Sequence, residues 1–92
     1  MDEATYRAEA AQKGYDTPTE KSLTPGTVND RHTHDVALFV YVLEGEFIVD
    51  VETGTEFVTS VCLPGDTIEV PSGVAHIERV GGEGTNLLVA RK

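Results

Sequence analysis

Two regimes of hydrophobic patterning divide the chain. Residues 2–13 are rich in good helix formers, with alanines filling the middle of the run. Asp2 is a suitable residue to cap the start, and Lys13 followed by Gly14 marks a stop. The pattern predicts a short, weakly amphipathic helix over 2–13. Beyond the Thr17-Pro18 step the helical period vanishes. Residues 36–43, Val-Ala-Leu-Phe-Val-Tyr-Val-Leu, read as a strand of β-branched and aromatic residues. Residues 47–52 alternate, with Phe47, Val49 and Val51 on one face and Asp50 and Glu52 on the other. Residues 55–63, 67–70, 75–80 and 85–91 read as further strands. Turns are expected at Pro25-Gly26, Thr53-Gly54 and Pro71-Ser72-Gly73, with a type II turn at Pro64-Gly65-Asp66 and a loop at Gly81, Gly82 and Gly84.

Many short strands at regular spacing predict an all-β sandwich or barrel. The organisation expected is one domain over 1–92, with a helical segment over 1–17 leading into a β-barrel over 18–92. The strand Val36–Leu43 has no polar face, so both its sides need cover. One side can face the barrel interior. The other needs the N-terminal segment or a second subunit, and a homodimer built partly on this strand is expected. Phe39, Tyr41, Phe47 and Phe57 are expected in the core or in that dimer contact.

Length and charge narrow the function classes. Ninety-two residues make one domain, small enough to be only marginally stable alone. The formal net charge of −9 argues against a nucleic-acid or anionic-membrane surface, since both require a basic footprint. No apolar run approaches a membrane span, and no charged-then-apolar leader opens the sequence. The single cysteine, Cys62, has no internal disulfide partner and reads as a small buried hydrophobe. A cytoplasmic location is the simplest expectation. Glu44, Glu46, Asp50, Glu52 and Glu56 read as a solvated face, too scattered for a calcium loop. Thr33, Ser60 and Ser72 lack partners for a nucleophile, and no phosphate-cradling glycine loop is present.

The candidate chemistry lies in the three histidines. His32 and His34 are two apart, so on a strand their rings share a face. His76 lies far along the chain, but barrel closure can bring a distant strand beside the first pair. Three neutral imidazoles would form a facial ligand set with open positions for water or substrate. Ordinary core or surface histidines remain the competing reading. Glu78, two residues after His76, faces the same way on a regular strand. It is a candidate metal ligand, a carboxylate orienting a histidine, or an acid or base acting on substrate. Its bland alternative is a surface acid beside Arg79. Asp35 sits on the opposite parity from the histidines, and a turn or strand-edge role is expected for it.

The punctuation around these residues adds a resemblance. Gly26 is followed after five residues by His32, then His34, after three more by Leu38, and after six by Gly45. Gly65 is followed after five residues by Pro71, then Gly73, after two by His76, and after three by Val80. These spacings resemble the two signature motifs of the cupin superfamily, particularly its short single-domain bacterial members. The resemblance implies a jelly-roll barrel, or double-stranded β-helix, preceded here by the short helix. It also implies a divalent metal held by His32, His34 and His76. Two motif positions differ: the motif glutamate falls on Leu38 and the final asparagine on Val80. The loss of the glutamate resembles the three-histidine cupins, such as the thiol and diketone dioxygenases, at the ligand level. Iron(II) is the favoured metal, with nickel, zinc and manganese as alternatives. One expected function is a metal-dependent oxygenase acting on a small anionic molecule, with Glu78 as catalytic group. The other is a non-catalytic module that binds a small molecule or a metal.

Overall fold

The computed structural model describes residues 1–92. The elements in chain order are α1 (Glu3–Gln12), β1 (Thr19–Leu23), β2 (Val28–His32), β3 (Leu38–Thr53), β4 (Glu56–Cys62), β5 (Thr67–Val70) and β6 (His76–Arg91). The helix begins where its cap residue dictates. The Asp2 carboxylate accepts the backbone N–H of Thr5 at 2.7 Å, and the chain leaves the helix through Gly14 at φ +84°.

The antiparallel sheet is organised around β3 and β6, which pair along most of their length, from Leu38↔Arg91 to Val51↔His76. Around one half of this pair, β1 lies beside β6 and β5 beside β3. Around the other half, β2 lies beside β6 and β4 beside β3. The two halves face each other across a core of Leu38, Val40, Val42, Phe47, Val49, Cys62, Val70, Leu87 and Val89. This is the all-β jelly roll expected from the sequence, with one short helix.

Two pairs of expected strands prove to be continuous. Residues 36–43 and 47–52 fall into the single bent β3, and the expected glycine loop at 81–84 is the bend of β6. The bends of the two strands cross at Gly45 and Gly84, where a residue with a side chain would not fit. Gly45 has φ +80°, and a Cβ there would lie 2.0 Å from the Gly84 carbonyl oxygen. Register shifts on either side of Gly45 also change the side-chain parity. Val40 and Val42 therefore share the interior with Phe47 and Val49, although strict alternation would put the two pairs on opposite faces.

The outer face of the first half of β3 is covered from within the chain. Tyr6 and Ala10 of α1, with Tyr15, pack against Phe39, Tyr41, Leu88 and Ala90. Tyr6 is fully buried, stacks on Tyr41 at 5.2 Å, and donates its hydroxyl to the Phe39 carbonyl at 2.6 Å. Burial pushes the Tyr6 phenol up to about 12, so it acts as a neutral donor. Of the two covers open to this strand, the structure uses the N-terminal segment. Phe39, Tyr41 and Phe47 are buried, whereas Phe57, on the free edge strand β4, is 42% exposed and outside the core. Cys62 is a buried free thiol, and burial pushes its pKa up. No helix is long and apolar enough to cross a membrane.

Candidate metal centre

His32 ends β2 and His76 begins β6, and the two are direct partners in the antiparallel ladder. That pairing depends on an irregularity. Asn29 pairs with Glu78, but three residues of β2 then span two of β6 before His32 meets His76. In a regular ladder Arg31 would stand opposite His76. The extra residue turns His32 inward and leaves Arg31 outside, paired to Glu52 at 3.0 Å.

His34 lies beyond the end of β2 rather than within a strand, so strand parity does not place it. Its position is fixed by the turn that precedes His76. The His34 carbonyl accepts the backbone N–H of Gly73 at 2.9 Å. Gly73 holds φ +78°, which completes this turn without strain only at glycine. The rings of His32 and His76 come within 4.2 Å, centroid to centroid, and those of His34 and His76 within 5.2 Å. Asp35 sits exposed in the bend that follows, outside the cluster.

Glu78 completes the group. Its Oε1 lies 3.1 Å from His32 Nε2 and 3.4 Å from His76 Nε2. One donor atom from each of His32, His34, His76 and Glu78 lies within 4.8 Å of all the others. Ligands about 2.1 Å from a shared ion lie at most about 4.2 Å apart, so a small contraction brings the whole set to bonding range. Leu38, at the motif's glutamate position, faces the same interior but packs in the core. The carboxylate comes instead from β6, two residues beyond His76.

Backbone carbonyls orient the rings. His32 Nδ1 lies 2.6 Å from the Asp30 carbonyl oxygen, and His76 Nδ1 lies 3.1 Å from that of Val74. A carbonyl only accepts, so each Nδ1 carries the proton and each Nε2 presents a lone pair to the cluster. His76 is 1% exposed, and its Nε2 has no hydrogen-bond partner, since the Glu78 contact lacks hydrogen-bond geometry. An orphaned buried acceptor is costly, and a cation at the centre of the cluster would satisfy it. Burial, followed by the neighbouring His32 and His76, holds the His34 imidazole below its ordinary value and favours the neutral, ligating form. The donor set of three imidazoles and one carboxylate suits a divalent transition metal.

The cluster opens into a cavity of about 510 Å³ between the two sheet halves. Leu38, Val40, Phe47, Val49, Val70 and Leu87 supply apolar wall. Lys21 and Arg91 also line the cavity, and the sequence reading does not single them out. The signal was present: Arg91 alternates with Leu87 and Val89, and Lys21 with Leu23.

Comparison with known proteins bears on the whole β-region. A family model for the cupin domain matches residues 20–89. No curated protein matches the chain. Among solved structures, the CENP-C domain of Drosophila melanogaster, bound to CAL1, superposes with TM-score 0.71 at 23% identity, over 79% of this chain and 62% of that one. Oxalate decarboxylase of Bacillus subtilis gives TM-score 0.74 at 24% identity, over 82% of this chain and 20% of that one. A conserved protein of unknown function from Streptococcus pyogenes gives 0.66 at 27%, over 83% of this chain and 63% of that one. The chain thus spans less than two thirds of each of these proteins.

Proposed function

This chain belongs to the cupin domain family, and on that premise we propose that His32, His34, His76 and Glu78 hold a divalent transition metal that acts on a small anionic molecule. The observation that carries the reading is the His76 Nε2 lone pair, buried without a hydrogen-bond partner among three other metal-ligating groups. Bound there, the metal supplies Lewis-acid polarisation of an anionic chelating ligand. The three imidazoles present lone pairs, and the Asp30 and Val74 carbonyls hold two of the rings in the required tautomer. Glu78 lies at the cavity wall with a carboxylate oxygen 3.1 Å from His32 Nε2. It serves as a ligand, or it receives a proton from bound substrate. The apolar wall limits water around the reacting group.

The finer reading is small-molecule oxidation by dioxygen at an iron(II) site, in the manner of the three-histidine dioxygenases. The three imidazoles support it, Glu78 beside them departs from a three-histidine set unless it acts on substrate rather than on the metal, and the likeness to an oxalate oxidase is compatible with it. The fold itself does not choose among reactions. A second reading, a metal-binding or ligand-binding module without turnover, is favoured by the likeness to the CENP-C cupin domain. A cytoplasmic location fits the free, buried Cys62. For the homodimer, the surface left open is the β4 edge with exposed Phe57, Val58, Val61 and Leu63. Size-exclusion chromatography with light scattering tests it, and a monomer at micromolar concentration removes it.

Metal analysis of protein expressed without a histidine tag tests the centre. Near-stoichiometric metal that disappears in His76→Ala is the expected result. No metal after reconstitution with iron(II), nickel, zinc and manganese would overturn the reading. Oxygen uptake by the iron(II) protein with a panel of thiols and 1,3-diketones then separates the oxygenase from the module without turnover.

A further inference from the structure

The basic residues of this acidic chain are nearly all committed. Of its seven lysines and arginines, Arg7 pairs with Glu3, Lys13 with Glu9 and Glu69, Arg31 with Glu52, and Arg79 with Asp50. Lys92 donates to the Lys13 carbonyl and lies over the Tyr15 ring. Lys21 and Arg91 are left without a carboxylate, and both line the cavity that holds the histidine cluster. The acids of the cavity lining, Asp30 and Glu78, pair with neither of them.

Their placement follows from the ladder. Lys21 is in register with Leu87, and Arg91 with Leu38. Partners in an antiparallel pair project from the same face of the sheet. Leu87 and Leu38 point into the core, so Lys21 and Arg91 project inward as well. Both belong to the half of the sheet built on β1, β5 and the end of β6. The histidines of β2 and the start of β6 lie on the other half. Lys21 is exposed and Arg91 half-buried, which sets them at the mouth of the cavity. Leu23, Val40, Val70 and Val89 line the space shared with the cluster.

A protein of net charge −9 repels anions at long range, so an anion-binding cavity needs local positive charge. A metal centre would provide it at the cluster, and Lys21 and Arg91 provide it near the mouth, where neither has a carboxylate partner and the Arg91 guanidinium donates to the Thr19 hydroxyl at 3.4 Å. We propose that the ligand carries two anionic groups joined by a short apolar segment, one received at the His32–His34–His76–Glu78 cluster and the other by Lys21 and Arg91. Arg91 offers a planar fork suited to a carboxylate, and Lys21 a mobile point charge. A ligand with a single anionic group would leave both bases facing its apolar end. The proposal rests on the metal reading above and adds the second anchor.

Calorimetric titration of the zinc-loaded protein with glutarate and with pentanoate tests it. The two probes share a five-carbon chain and differ in one carboxylate. Zinc content is measured first. Protein that takes up no zinc overturns the metal reading and, with it, the two-ended ligand. With zinc bound, glutarate is expected to bind about tenfold tighter than pentanoate or better, the scale of one charge-assisted anchor. The double variant Lys21→Met/Arg91→Met is expected to bring the two probes to within about twofold of each other. Equal affinities in the wild-type protein, or a preference unchanged in the double variant, overturn the second anchor and leave the metal centre standing. Circular dichroism checks the fold of the variant, and Lys21→Met alone, at an exposed side chain, serves where the double variant is unstable.

Discussion

Replacing His76 by alanine separates what the ring does for the fold from what it does for a metal. In the metal-free protein the ring is 1% exposed and donates Nδ1–H to Val74 at 3.1 Å, so its removal costs a hydrogen bond and leaves a small cavity. Each of these losses is about 1–2 kcal/mol. The same change deletes the orphaned Nε2, which returns about 1–3 kcal/mol. The opposing effects leave a net change between a gain of about 1 kcal/mol and a loss of about 3 kcal/mol in the metal-free state. With metal at about a hundredfold over its dissociation constant, the wild-type protein gains about 2.7 kcal/mol that the variant cannot gain. For a domain of this size that is a rise in melting temperature of roughly 10–20 °C. Thermal melts of both proteins, with chelator and with excess zinc, measure the double difference. His32→Ala, at a ring 30% exposed, repeats the test with less disturbance of the core. An equal metal-induced rise in wild type and both variants would refute the argument, because the ion would then be binding elsewhere.

Three further outcomes follow from the same geometry. Glu78→Gln keeps the shape of the side chain but removes the charge 3.1 Å from His32, and should weaken metal binding by about ten- to a hundredfold with the melting temperature of the metal-free protein unchanged; competition with a chromophoric chelator reads this, and unaltered affinity would return Glu78 to a structural role. Burial and the neighbouring histidines hold the folded pKa of His34 below its ordinary 6.5, so between those two values the unfolded chain binds a proton that the folded chain refuses. This contribution to the stability of the metal-free protein is full above about pH 6.5 and is lost as the pH falls through the folded value, and His34→Gln should flatten the slope of melting temperature against pH in that window; an unchanged slope would contradict it. Tyr6→Phe leaves the Phe39 carbonyl without the donor now 2.6 Å away and should cost about 1–3 kcal/mol in urea denaturation, whereas a loss below about 0.5 kcal/mol would mean that ring packing alone holds α1 to the sheet.

What the sequence determined by itself is what short-range chemistry sets. The Asp2 cap, the helix stop at Gly14, and the turns at Gly54, Gly65 and Gly73 each depend on a few neighbouring residues, and each appears where expected. The inward face of Phe47 and Val49 could be read from alternation within one run. The spacing of the two glycine-and-histidine motifs carried the family and the fold, and it marked out the residues that the structure gathers at one end of the cavity. Tertiary structure alone decided the rest, because pairing between distant strands is not encoded in any single window. The irregularity between Asn29 and His32 sets which residue of β2 faces His76. The crossing of Gly45 over Gly84 turns an apparent loop into the bend of a strand. The carboxylate beside the imidazoles comes from Glu78 rather than from position 38, and α1 covers the outer face of β3. Lys21 and Arg91, seventy residues apart in sequence, share one cavity only because β1 pairs with β6.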